Sequence, residues 1–197
     1  MKPYSILVTG VGGQGVLFIC QIIGEAALLE GKEVVMSEVH GMAQRGGVVT
    51  STVRIGAGAL SPLVARGDAD MLIGMEPVET YRMLNVVSPN TEIITSEVPI
   101  VPASVSISGE VYPDVNELFS EAKKTCPAFK VIEAGRIARE LGNPVVANVV
   151  LLGAFAAAKT CPIRKESLLA TMKESVPAKA LAINLKAFEK GFESVKA

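Results

Sequence analysis

Apolar positions fall into short runs separated by glycine, proline and charged clusters, and the length of each run predicts its element. Ser5–Thr9 is a short β-rich run. A glycine cluster follows, and then a long apolar segment, Val16–Leu29, with Gly31 placed to close it. This is the pattern of strand, loop and helix. In that helix Leu17, Ile19, Ile22, Ile23, Ala26, Leu28 and Leu29 surround most of the circumference, so both sides are expected to be covered. Glu33–Ser37 and Val48–Ile55 read as the second and third strands, with a loop, Glu38–Gly47, between them. Asp70–Met75 reads as a buried strand, Pro77 as the opening of the next helix, and Ile93–Thr95 as the strand after it. Strands alternating with helices predict an α/β fold, a Rossmann-like and mostly parallel sheet flanked by helices.

The pattern then changes. Val98–Pro113 contains Pro99, Pro102, Gly109 and Pro113, too many breakers for a regular element, and is expected to form an ordered excursion or arm. Phe129–Glu133 returns to the sheet, and the rest is helical: Asn143-Pro144 precedes one apolar helix, Pro162 opens another and Pro177 starts the last. In the last helix Leu181, Leu185, Phe188 and Phe192 recur at helical spacing opposite Lys186, Lys190 and Glu193, so it packs by one face. There is no internal repeat, and 197 residues suit one domain, 1–197, better than two.

Composition narrows the partners. With 19 basic and 20 acidic residues the formal net charge is -1, which provides no field for nucleic acid or an anionic membrane. The apolar fraction is 49% and the mean hydropathy +0.40, high for a soluble monomer, so part of the apolar surface is expected to meet another subunit, or a second copy when the chain is alone. The longest apolar stretch, Val145–Ala158, is interrupted by Asn148 and Gly153 and is shorter than the roughly 18 to 20 residues of a membrane span. The N-terminal residues lack the regions of a secretory signal, which predicts a cytoplasmic protein. Cys20, Cys126 and Cys161 are far apart, with no CxxC pair for zinc or an iron-sulfur cluster, and read as ordinary thiols.

Candidate chemistry lies in two loops. Gly10, Gly12 and Gly15 in the run Gly10-Val11-Gly12-Gly13-Gln14-Gly15 match G-x-G-x-x-G where a strand turns into a helix. Glycines let backbone N–H groups approach an anion, and the helix N-terminus adds positive potential, so phosphate or pyrophosphate is the natural guest. The competing reading is that these glycines only pack the helix close to the strands. Glu38, near the end of the second strand, superficially satisfies a dinucleotide site, which makes a stand-alone NAD(P)-dependent oxidoreductase one alternative. However, His40-Gly41-Met42-Ala43-Gln44-Arg45-Gly46-Gly47 is not a typical helical crossover. No Lys-Ser or Lys-Thr follows the glycines, which disfavours a P-loop NTPase.

Five segments together resemble a known family over nearly the whole chain. They are GVGGQG, SEVHGMAQRGG from Ser37 to Gly47, the VRIG that follows, DADMLIGMEPVET from Asp68 to Thr80, and LGNPVVANVVLLGA from Leu141 to Ala154. They resemble the beta subunit of indolepyruvate ferredoxin oxidoreductases. The gamma subunits of pyruvate and 2-oxoglutarate ferredoxin oxidoreductases are also similar, through GGQG and RGG, but SEVHGMAQRGG looks more like the indolepyruvate branch. The resemblance implies a larger alpha subunit that holds thiamine diphosphate, magnesium and iron-sulfur clusters. The holoenzyme would decarboxylate an aryl 2-oxoacid, reduce ferredoxin and pass the acyl group to coenzyme A. This chain carries no GDG followed by NN for thiamine diphosphate, so it is expected to bind no cofactor alone and to be inactive alone.

On this reading Gly10, Gly12, Gly13, Gln14 and Gly15 form the candidate anion site, with coenzyme A the candidate ligand at the interface. Glu38, His40, Gln44, Arg45, Gly46 and Gly47 form the interface or substrate-entrance loop. His40, the only histidine, titrates in the range for proton transfer, although it can equally hydrogen-bond the loop backbone. Arg45 can hold a carboxylate or phosphate bidentately or form a salt bridge to the partner. A purely architectural assembly subunit is the other alternative.

Overall fold

A computed structural model describes residues 2–41, 47–101 and 111–196. The central strand is β1 (Tyr4–Val11), and its glycine-rich end turns directly into α1 (Val16–Leu29). That helix ends as the glycine pattern predicts: Gly31 has φ +73°, and Lys32 N–H reaches back to Ala27 O at 3.1 Å. β2 (Val34–His40) and β3 (Val48–Ile55) follow, then β4 (Met71–Gly74), α2 (Pro77–Arg82), β5 (Glu92–Ser96), α3 (Val115–Thr125) and β6 (Phe129–Ile132). The helical part comprises α4 (Ala134–Glu140), a 3₁₀ turn (Pro144–Val146), α5 (Ala147–Ala156), α6 (Lys165–Ser175) and α7 (Ala178–Lys196).

The six strands form one sheet in the order β2-β3-β1-β4-β5-β6. β1, β4, β5 and β6 pair in parallel, whereas β3 runs antiparallel to both β1 and β2. The mostly parallel α/β sheet is therefore as expected, but β2 and β3 form a hairpin in place of a crossover. A short connection can reverse a chain, whereas returning it parallel needs a dozen or more residues. β2 also runs three residues beyond the expected Ser37, so Glu38 and His40 sit on a strand.

The larger core lies on one face, where Ile6, Val8 and Ile73 meet Ile19 and Ile22 of α1, Val150 and Leu151 of α5, and Phe188 of α7. The smaller core lies on the other, where Leu7, Leu72 and Ile93 meet Phe129 and Ala122, and the Phe119 and Phe129 rings lie 5.5 Å apart. β4 and β5 are buried throughout, as strands covered on both faces must be. α7 packs by one face, with Phe188 and Gly191 buried and Lys186, Lys190 and Glu193 exposed.

Two expectations are corrected. α1 is not covered all round, because Leu28 and Leu29 are 59% and 63% exposed beside Gln21 and Glu25. Its packing partners, the sheet, α5 and α6, leave that stripe uncovered. Pro162 does not open α6, which starts at Lys165 after Arg164, and the Pro162 carbonyl instead accepts from the Lys32 ammonium. Residues 102–110 of the excursion lie outside the described residues.

Candidate functional site

The C-terminal ends of the parallel strands gather at one edge of the sheet, where open α/β sheets place their ligands. The two candidate loops meet there because β3 pairs with β1 up to Val11↔Val48, carrying the hairpin's return strand beside the glycine loop. Gly12 N–H donates to Gly47 O at 2.8 Å, and Gly41 N–H to Val48 O at 2.7 Å. Gln44, Arg45 and Gly46 lie outside the described residues.

Gly10 is the penultimate residue of β1, and a Cβ there would lie 2.6 Å from Gln14 Oε1. Gly13 and Gly15 have φ +100° and +80°, a region in which a side chain is strained. Their N–H groups have no backbone partner among the described residues. Gln14 is different: its Oε1 accepts from Val11 N and its Nε2 donates to Met75 O, both at 2.8 Å. The amide is committed at both ends, bracing the loop against the end of β4.

Two clefts flank Gly13. The first, about 700 Å³ and open, lies among Gly12, Gly13, Gly15, Leu17, His40 and Val49. The second, about 270 Å³, lies on the other side and includes Arg139 and Asn148. His40 is exposed, and its Nε2 meets the Glu38 carboxylate two residues back on the same side of β2. The imidazole thus has a carboxylate partner that sequence spacing alone did not assign to it.

Glu38 is badly placed for a nucleotide ribose. Through Ser51 it stands level with Val8, two residues short of Gly10, with β3 between, about 10 Å across the sheet. In a dinucleotide fold the acidic strand adjoins the glycine strand. This placement weighs against the NAD(P) alternative.

Sequence reasoning missed Glu76. It is 1% exposed and caps α2 through Glu79 N–H at 2.9 Å, while its other oxygen accepts from Ile100 N at 3.2 Å and from the Tyr112 hydroxyl. Both flanks of the excursion are thereby tied to β4. The signal was Glu-Pro before a helix, an N-cap pattern. Burial pushes the Glu79 carboxyl and the Tyr112 phenol up.

The thiols do not converge. Cys20 lies in the larger core, Cys126 in the smaller one across the sheet, and Cys161 beyond α5. Burial pushes Cys20 up to about 12 and Cys161 to about 11, which makes them weak nucleophiles at neutral pH. Among the described residues no group of three or more His, Cys, Asp or Glu could hold a metal. No helix among them is long and apolar enough to cross a membrane.

A glycine loop between β1 and α1, with a second strand that returns as a hairpin, defines the class, and sequence similarity defines the family. Residues 5–194 match the pyruvate ferredoxin/flavodoxin oxidoreductase family, and the chain belongs to it. It is 38% identical over 197 residues to the indolepyruvate oxidoreductase subunit IorB of Thermococcus kodakarensis, covering 100% of this chain and 98% of that one. The fold is similar to the gamma subunit of a keto/oxoacid ferredoxin oxidoreductase from Geobacter sulfurreducens, with TM-score 0.70, 24% identity and 98% coverage of both chains. It is also similar to part of the 2-oxoglutarate:ferredoxin oxidoreductase of Magnetococcus marinus, with TM-score 0.75 and 22% identity, over 100% of this chain and 31% of that one. This chain is a small subunit of the 2-oxoacid:ferredoxin oxidoreductase type.

Proposed function

We propose that the chain, acting as one gamma-type domain over residues 1–197, is the small cofactor-free subunit of a cytoplasmic indolepyruvate-type oxidoreductase. Its larger partner supplies thiamine diphosphate, magnesium and the iron-sulfur clusters, and the holoenzyme reduces ferredoxin. The first cleft faces that partner and receives the nucleotide end of coenzyme A. The observation that supports this is the Gly12–Gly47 hydrogen bond, which joins the two loops beside a cleft that the uncommitted N–H groups of Gly13 and Gly15 can serve. Arg45 acts from the same hairpin as the cation for the phosphates. The separation of the three cysteines agrees with clusters held elsewhere.

The test is the two-subunit enzyme assayed with an aryl 2-oxoacid after gel filtration has verified assembly. A Cβ on Gly13 meets nothing within 4 Å, so Gly13→Val strains the turn and fills the approach to the loop without a core clash. Gly13→Val and Arg45→Ala are each expected to raise the apparent Michaelis constant for coenzyme A, with that for the 2-oxoacid little changed. If the Arg45 contact is buried, losing it costs roughly 1.5–3 kcal/mol, or about 10- to 150-fold. If Arg45→Ala assembles and leaves the coenzyme A dependence unaltered, the architectural reading replaces this one.

A further inference from the structure

We propose that the second cleft is a separate binding site for a small organic acid with an apolar body, its carboxylate held by Arg139 and Asn148. This goes beyond the coenzyme A reading and does not depend on it.

The cleft lies at the carboxyl ends of β1, β4 and β5, and the chemistry of its wall follows from its polar side chains. Gln14 is committed at both ends of its amide. The Ser96 hydroxyl donates to Glu97 at 3.3 Å and accepts from Val98 N at 3.2 Å. The neighbouring Glu97 carboxylate accepts from Gly135 N and Arg136 N at 3.3 and 3.0 Å. Asn148 Oδ1 accepts from Val149 N at 2.8 Å, but its Nδ2 has no hydrogen bond among the described residues. The Arg139 guanidinium likewise has no ion pair or side-chain hydrogen bond among them.

Both uncommitted side chains are therefore donors, one of them a fixed cation, and no carboxylate lines the cleft. Such a wall selects an acceptor, and an anion above a neutral one. The rest is apolar, from Met75, Val98, Ile100, Val145 and Leu151, and asks for a ring or branched chain. At about 270 Å³ the cleft is at the small end of ligand pockets, which run from roughly 300 Å³ upward, and it is too small for a whole nucleotide. Its outer wall is pre-set, because Ile100 is hung from the buried Glu76 that also takes the Tyr112 hydroxyl. A wall ordered before the ligand arrives does not charge that ordering to binding.

The experiment is calorimetric titration of the full chain with phenylacetate, with phenylacetamide as the same shape without charge and acetate as the charge without the ring. Saturable one-to-one binding of phenylacetate is expected, at least about 10-fold tighter than either control. Arg139→Leu, a change at an exposed position, should remove most of that preference for the acid over the amide. Ala147→Phe should fill the cleft and abolish binding of both aromatic probes, with circular dichroism unchanged in each variant. Equal binding of acid and amide, no saturation at tens of millimolar, or undiminished binding by Arg139→Leu would overturn the proposal. So would displacement of phenylacetate by adenosine 3′,5′-bisphosphate, which would make the cleft part of the nucleotide site. Failure of the coenzyme A reading appears separately, in the kinetics of the Gly13 and Arg45 variants.

Discussion

Glu30 ties the end of α1 to the start of α6 through a side chain only 7% exposed. Burial works against its ionisation, but hydrogen bonding from Lys32 at 2.7 Å, from Ser167 and from Arg164 N at 2.8 Å outweighs it and holds the carboxyl at about 2. A folded-state value below the unfolded one contributes stability that is fully present above about 4.5 and is lost as the pH falls towards 2. Glu30→Gln should therefore lower stability at neutral pH by about 1–2 kcal/mol, a figure discounted because Lys32 and Arg164 are partly in solvent. Denaturant unfolding of both proteins from pH 7 to pH 2.5 checks this. The gap should narrow below pH 4.5, and a gap independent of pH would show that charge is not its origin. The commitment of Gln14 was invisible in sequence for a related reason: its second partner is the carbonyl of Met75, 61 residues away.

At the level of elements, α5 and α7 cross with their backbones touching. A Cβ on Gly153 would overlap the Phe188 carbonyl, and one on Gly191 would overlap the Val150 carbonyl. Helix propensity alone would make Gly191→Ala stabilising by about 1 kcal/mol. The close crossing reverses the sign, and a loss of roughly 3 kcal/mol is expected from forcing two helices apart in a packed core. Thermal or urea unfolding decides between the signs. The lengths of α1 and β3 were legible because α1 is a mainly apolar run between Gly15 and Gly31, and β3 is a β-branched run of alternating burial that stops at Gly56. The exposed stripe of α1 was not, since Leu28 and Leu29 read as buried residues until a neighbour fails to cover them.

For the whole molecule, the smaller core stops at β1 and takes no residue from β2 or β3. Over the same face the segment after β3 is tied down by Thr52 to Pro62 O and by Arg54 to Ser61 O and Leu63 O, at 2.8, 3.0 and 3.1 Å. It leaves Leu60 and Leu63 95% and 73% exposed, with Val39 of β2 also exposed. An obligate interface resembles a core cut in half, so the chain without its partner is expected to self-associate through this surface. Light scattering should give a mass above 20.6 kDa, reduced by the double change Leu60→Ser and Leu63→Ser. A monodisperse monomer at high concentration and raised salt would show that this surface drives no association.

The α/β class, most element positions, the strand–glycine–helix turn and the family could be read from the residues alone, because these depend on local periodicity, on turn chemistry and on motifs carried within short segments. It took the folded arrangement to show that the second and third strands form a hairpin, that Gly47 meets Gly12, that Glu38 faces His40, and that Arg139 and Asn148 share a cleft with Met75 and Ile100. Those facts depend on which strands lie side by side and on which polar groups find a partner far along the chain. Strand order follows from burying both faces of the sheet at once, a condition that no single segment contains.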